Sequence, residues 1–196
     1  MSPPVVLTHL QRSATWRNIR SHMADTAKKR QPPRDERQAS TPHGSGADRF
    51  ARLLTEGEVG SHGHLLLLGL DVVDIPALVG TLEHGLAYAA FDQLVANSGL
   101  PPDSVQTLID IPSRTMTRRK QDGRFHSDES DRLVRAARIV GGALTLFEGD
   151  RKAASHWLTS PQRGLGGALP VQFARMEVGA LEVERIMERL NHGIVT

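Results

Sequence analysis

The 14-residue stretch IPSRTMTRRKQDGR, residues 111–124, packs five arginine or lysine residues around two threonines and one serine. A short apolar stretch, SVQTLID, runs directly into it. Side chains of these types recognise a nucleic-acid duplex when the first turns of a helix display them. An arginine forks onto the O6 and N7 edge of guanine, while hydroxyls and the free N–H groups of the helix start meet phosphate oxygens. On this reading the DNA-contacting residues are Ser113, Arg114, Thr115, Thr117, Arg118, Arg119 and Lys120, with Met116 turned inward. A competing reading pairs Arg118 and Arg119 with Asp128, Glu129 or Asp131 of the next segment. The two are compatible if each arginine takes one role.

Other reactive groups point to less. His62 and His64 form an H-x-H pair in a glycine-rich linker, without the third ligand that a zinc site needs, and are read as solvated. GLGG, residues 164–167, echoes a phosphate loop but lacks the preceding strand, the lysine and the later acidic residue. Glu177, Glu182, Glu184 and Glu188 read as a helix surface paired with Arg175, Arg185 and Arg189. The absence of cysteine excludes disulfides, thiol catalysis and cysteine-based zinc sites. No nucleophile–base pair stands out, so neither an enzyme nor a cofactor is expected. The longest apolar run, LLLLGL, ends at Asp71, far short of the ~20 residues of a membrane span. With no h-region at the N-terminus, a cytoplasmic chain with no membrane partner is expected.

The elements that must position the basic stretch follow from spacing and punctuation. With only 4% aromatic residues, a core of Leu, Val, Ile and Ala suits packed helices. Residues 1–60 carry Pro3, Pro4, Pro32, Pro33, Pro42, the cluster Lys28-Lys29-Arg30 and a long polar run, and read as a largely irregular, flexible basic arm. Within it Leu7, Leu10, Trp16, Ile19 and Met23 have weak helical spacing. From residue 64 the chain turns apolar. A lead-in precedes a helix opened by Pro76 and broken at Gly80 or Gly85. A second helix over residues 88–98 is closed by Gly99, and a third begins at Pro101-Pro102-Asp103. A turn at Asp110-Ile111-Pro112 then leads to a helix from Ser113. Short helices in succession joined by a tight turn describe a helix-turn-helix over residues 61–125, with Leu94, Val105, Leu108, Ile111 and Met116 as its small core.

Residues 126–196 form the rest. Ser127 is the expected N-cap of a long helix whose stripe is Leu133, Ala137, Val140, Leu144 and Phe147. A short helix ends before Pro161, and QRGLGGALP reads as loop. The last helical pattern carries Phe173, Met176, Ala180, Val183, Met187, Leu190 and Ile194, with a break expected at Gly179 and an end at Gly193. Phe173, Leu181, Ile186, Met187 and Leu190 together make a face wide enough for a partner. No strand pattern is evident, so the fold class is all-α.

Residues from about 65 to 196 resemble the Xre/MbcA/ParS-type antitoxins, the partners of RES-domain toxins. The resemblance rests on GLPPDSVQTLIDIPSRTMTRRK, SDESDRLVRAARIV, ALTLFEGDRKAASHWLTSPQRGLGGALP and EVGALEVERIMERLNHGIVT, in that order. The pattern S-x-E-S-D-R-L-x-R-x-A-R is met by Ser127, Glu129, Ser130, Asp131, Arg132, Leu133, Arg135, Ala137 and Arg138. Trp157, Leu158, Pro161, Leu165, Gly166, Gly167 and Pro170 meet a second block, and Glu177, Gly179, Ala180, Val183 and Gly193 a third. The resemblance implies an N-terminal helix-turn-helix that represses its own operon and a helical C-terminal domain that binds a toxin consuming cellular NAD. It further implies that the last residues, Asn191, His192, Gly193, Ile194, Val195 and Thr196, block the toxin active site. Operator DNA, a RES-domain toxin and a second copy of the chain are the expected partners. A free-standing dimeric helix-turn-helix regulator with a C-terminal dimerisation or sensing domain is the alternative. Three positions depart from the family pattern. Asp110 stands at the turn glycine and is expected to keep its left-handed backbone. Pro112 replaces a serine cap, with Ser113 expected to cap instead, and Leu169 replaces a threonine cap.

Overall fold

The computed structural model describes residues 44–71 and 74–193. The weak helix of Leu7 to Met23 and the rest of residues 1–43 lie outside the described residues, as do Ile194, Val195 and Thr196.

Helix α1, Gly46–Glu56, starts at a reciprocal cap. The Ser45 hydroxyl accepts from Asp48 N–H and the Asp48 carboxylate accepts from Ser45 N–H. It buries Ala47 and Phe50. This corrects the sequence reading for residues 46–56, which assigned them to the irregular arm. The polar run before them hides a helix with a narrow apolar edge. Next, Gly63–Leu68 forms a tight 3-10 turn whose four leucines are all buried, because α1, α3 and α6 surround it.

Helix α2, Ile75–His84, is capped by Asp74, passes through Gly80 unbroken, and stops at Gly85. Helices α3, Ala89–Ser98, and α4, Pro102–Ile109, follow, with α5, Ser113–Asp122, beyond the turn. Helix α6, Ser127–Leu146, is the longest of the described elements. Its N-cap is His126 rather than Ser127, because Glu129 reaches back to the His126 N–H at 2.8 Å. Then come α7, Arg151–Leu158, a short turn Arg163–Leu165, α8, Pro170–Phe173, and α9, Glu177–Asn191. Leu169 precedes α8 without a side-chain cap. The described residues form no strand and one isolated bridge, Ala87 to Arg124, so the fold is all-α.

Two buried polar side chains tie the elements together, and both are satisfied. Asn97 of α3 accepts from Ala47 N–H and donates to Leu67 C=O, joining α1 to the leucine turn. Ser130 of α6 accepts from Leu86 N–H at 2.8 Å and donates to His126 C=O at 2.7 Å.

The last helical pattern breaks between α8 and α9, not at Gly179. Gly179 lies in the first turn of α9, where an added Cβ would sit 1.8 Å from Phe173 C=O. The glycine permits the close crossing of α8 and α9 rather than ending a helix.

Helix α6 is the centre of the packing. Leu133, Ala136, Ala137, Ile139, Val140, Ala143 and Leu144 are inaccessible or nearly so. Its adjacent glycines face different neighbours. A Cβ on Gly141 would stand 2.9 Å from His64 Cβ, whereas one on Gly142 would meet only the terminal methyl of Met187 at 2.7 Å. Glycine inside a helix is about 1 kcal/mol less favourable than alanine, so the pair persists for packing. His64 Cβ is fixed close to the backbone; the Met187 methyl can swing away. Gly141→Ala is therefore expected to destabilise by about 1–2 kcal/mol, overpacking outweighing the propensity gain. Gly142→Ala is expected to be neutral or stabilising by up to ~1 kcal/mol. Urea unfolding of the two variants separates these outcomes.

Candidate functional site

The turn between α4 and α5 is built on Asp110, whose backbone is left-handed with φ 52° and ψ 48°. Its N–H donates to Thr107 C=O, and its own C=O accepts from Arg132 of α6 at 3.0 Å. Asp thus fills a place that glycine fills without steric penalty. Ile111 is buried and Pro112 precedes the first turn of α5. Ser113 does not cap α5: its hydroxyl accepts from the Gln106 amide at 2.8 Å, bracing α4 against α5.

On α5, Met116 and Arg119 face inward. Arg119 was expected to contact DNA. It is only 4% exposed, and its guanidinium donates to Glu129 at 2.6 Å and Asp122 at 3.1 Å. Spacing explains this correction. Arg119 lies three residues after Met116 and shares its buried side. Of the other cations, Arg124 donates to the carbonyls of His84 and Gly85, ending α2. Arg114, Arg118 and Lys120 remain exposed with no carboxylate partner among the described residues. Ser113 and Thr117 are exposed beside them and Thr115 is half-buried. Seven candidate residues therefore resolve into a cationic, hydroxyl-bearing outer face and one internal ion pair.

That pair is directional. Burial pushes the Glu129 carboxyl up, but hydrogen bonds from Arg119 and the His126 N–H outweigh it and hold the group below its ordinary value. The bond to Glu129 first, with a smaller contribution from Asp122, raises Arg119 against its burial.

The C-terminal helix is held onto α6 by two arginines of the SDESDRLVRAARIV block. Arg138 donates to Glu184 at 2.5 Å and Glu177 at 2.7 Å. Arg135 donates to Arg175 C=O at 2.6 Å. Helix α9 buries Ala180, Val183, Ile186 and Met187. It ends at Asn191, and the turn that follows carries Gly193 at φ 75°. Asn191, His192 and Gly193, the described part of the expected blocking segment, are exposed.

The wide apolar face expected on this helix is only partly free. Ile186 and Met187 are buried against the core and Leu190 is half-buried. The large apolar side chains left in solvent here are Phe173 at 39%, Met176 at 61%, Val178 at 83% and Leu181 at 43%. Sequence reasoning missed Val178 as a surface residue. The signal was its phase, since it falls off the stripe of Met176, Ala180, Val183 and Met187.

Of the H-x-H pair, His62 is exposed while His64 is half-buried beside Gly141 rather than solvated. Burial first, then the charges of His62 and Arg138, push His64 down to about 4. No group of three or more potential ligands capable of holding a metal occurs among the described residues. No helix there is long and apolar enough to cross a membrane.

The fold and the two surfaces define a helix-turn-helix protein with an appended helical domain. Residues 77–138 match the Antitoxin Xre-like helix-turn-helix domain, and residues 143–193 the Antitoxin Xre/MbcA/ParS C-terminal toxin-binding domain. The chain is 35% identical to Antitoxin Xre of Yersinia enterocolitica over 128 residues, 65% of this chain and 86% of that protein. It is 34% identical to Antitoxin Xre of Photorhabdus laumondii over 122 residues, 62% of this chain and 82% of that protein. The chain belongs to the Xre antitoxin family. Helix α6 starts inside the first matched region and ends inside the second.

The ion pair generates a test. A carboxyl depressed in the folded state contributes stability that is present above its unfolded pKa, about 4.3, and lost as pH falls through its folded value. Glu129→Gln is expected to lower Tm at pH 7. The gap from the unaltered protein should narrow as pH falls below about 4. A gap unchanged between pH 7 and pH 3 in thermal melts would remove the ion pair as its cause.

Proposed function

We propose that this chain is the antitoxin of a type II toxin–antitoxin system that inhibits a RES-domain, NAD-consuming toxin and represses its own operon through α5. The observation that carries the reading is one continuous helix, α6, spanning both matched regions. Helix α5 pairs with the first turn of α6 through Arg119 and Glu129, and α9 packs on its later half beside Gly142. Relatives of this arrangement bear the name Antitoxin Xre.

On the DNA side, Arg114, Thr117, Arg118 and Lys120 are free of internal partners' charge and sit on the helix after the tight turn. Arginine forks there supply base contacts, while Ser113, Thr115 and Lys120 serve phosphate contacts. Arg119 has no place in this set. Two copies on paired half-sites give the usual geometry for operator recognition.

On the toxin side, Asn191, His192, Gly193, Ile194, Val195 and Thr196 act as a plug in the toxin's active-site cleft. An extended segment enters clefts that exclude a helix, and a C-terminal carboxylate meets the basic groups that otherwise hold phosphate. No catalysis is asked of this chain, and no cofactor.

Two outcomes follow. Arg114→Ala with Arg118→Ala is expected to abolish operator retention in a gel shift while leaving Tm and toxin binding intact. Each good arginine–guanine fork is worth about 1–3 kcal/mol, so losing both weakens binding by about 30-fold or more. Retained operator binding would mark α5 as a non-reading surface. Deleting Ile194, Val195 and Thr196 is expected to restore NAD loss by the toxin although the complex still forms; NAD fully protected by the truncated chain would eliminate the plug.

A further inference from the structure

We infer that the apolar patch of Phe173, Met176, Val178 and Leu181 is the anchoring surface for the toxin, separate from the segment that blocks its active site. This inference rests on the toxin-binding reading above and assigns the residues that supply its affinity.

Three observations lead there. First, the patch is contiguous. Phe173 ends α8, Met176 precedes α9, and Val178 and Leu181 are three apart on α9 and so lie on one face. Phe173 also packs beside the α9 backbone, its ring 3.2 Å from the Cβ position of Gly179. Second, its exposure contrasts with the rest of α9. Val183, Ile186 and Met187 are buried, and the ion pairs of Arg138 with Glu177 and Glu184 fix the helix with this face outward. The patch therefore cannot be turned inward without breaking the pairs that hold α9 on α6. Third, all four residues lie within the region that matches the toxin-binding domain, which says what covers them.

The patch and the tail sit at opposite ends of α9. Thirteen residues separate Val178 from Asn191, or ~20 Å of helix at 1.5 Å per residue. A toxin that covers both meets an apolar anchor flanked by the exposed Arg175, Glu177 and Arg185 at one end and the exposed Asn191, His192 and Gly193 at the other. Desolvated apolar anchors inside a charged rim carry most of the energy of such interfaces. The anchor thus sets affinity, and the tail sets inhibition.

The test uses the full chain and the RES-domain toxin proposed above as its partner. Val178→Asp with Leu181→Asp places two charges on exposed positions, so Tm and operator binding should stay as in the unaltered chain. Binding to the immobilised RES-domain protein is expected to weaken at least 30-fold, whereas the chain lacking Ile194, Val195 and Thr196 should bind within about threefold of the full chain. Unchanged affinity in the double variant would overturn the anchor while leaving the antitoxin reading standing. Conversion of a dimer to a monomer with toxin affinity kept would assign the patch to self-association and overturn the anchor as well. If the unaltered chain does not bind the RES-domain protein at all, the antitoxin reading and the anchor both fall.

Discussion

The packing of helix α6 is the constraint on which the molecule depends. Almost every other element is set against it: the leucine turn through the small Gly141, α9 through Gly142 and two arginines, and the loop after α2 through Ser130. A buried helix that must touch neighbours on several sides cannot carry large residues everywhere. Alanines and two adjacent glycines alternate with Leu133, Ile139, Val140 and Leu144 for that reason. Because the same helix runs through both matched regions, the two surfaces belong to one packed unit rather than to two beads on a string.

This changes how the SDESDRLVRAARIV block is understood. Its polar residues are structural. Glu129 neutralises Arg119 on the inner side of α5, Ser130 fastens the loop at Leu86, Arg132 holds the Asp110 carbonyl, and Arg135 and Arg138 clamp α9 and the turn before it. The residues left for the proposed partner contacts are fewer and chemically simpler: a short cationic face on α5, an apolar patch at the start of α9 and the exposed Asn191, His192 and Gly193. A variant in the block would disturb every surface together, while one at Arg114 or Val178 would disturb a single surface.

Much of this was legible in the sequence. Proline and glycine punctuation placed α3, α4 and α5, because Pro102 opens a first turn and Gly99 closes a helix only in particular backbone conformations. Asp110 was readable as a left-handed turn residue on the same ground. Charge was less legible. A run of arginines does not reveal which member is inward, and only the three-residue step from Met116 to Arg119 separated the buried cation from the free ones. Helix α1 escaped because Ala47 and Phe50 are few among polar neighbours, and their burial comes from the leucine turn that follows and from α3 and α6, distant in sequence. On α9 the dominant stripe drew attention to residues that proved to be core, while the exposed Val178 lay out of phase with it.

Binding rather than turnover is the central claim, and it is tested most directly by titrating the full chain into the purified RES-domain toxin proposed as its partner while following NAD. The account predicts that NAD loss falls in proportion to added chain and stops at a fixed stoichiometric ratio. NAD consumption that continues unchanged at excess chain would contradict it.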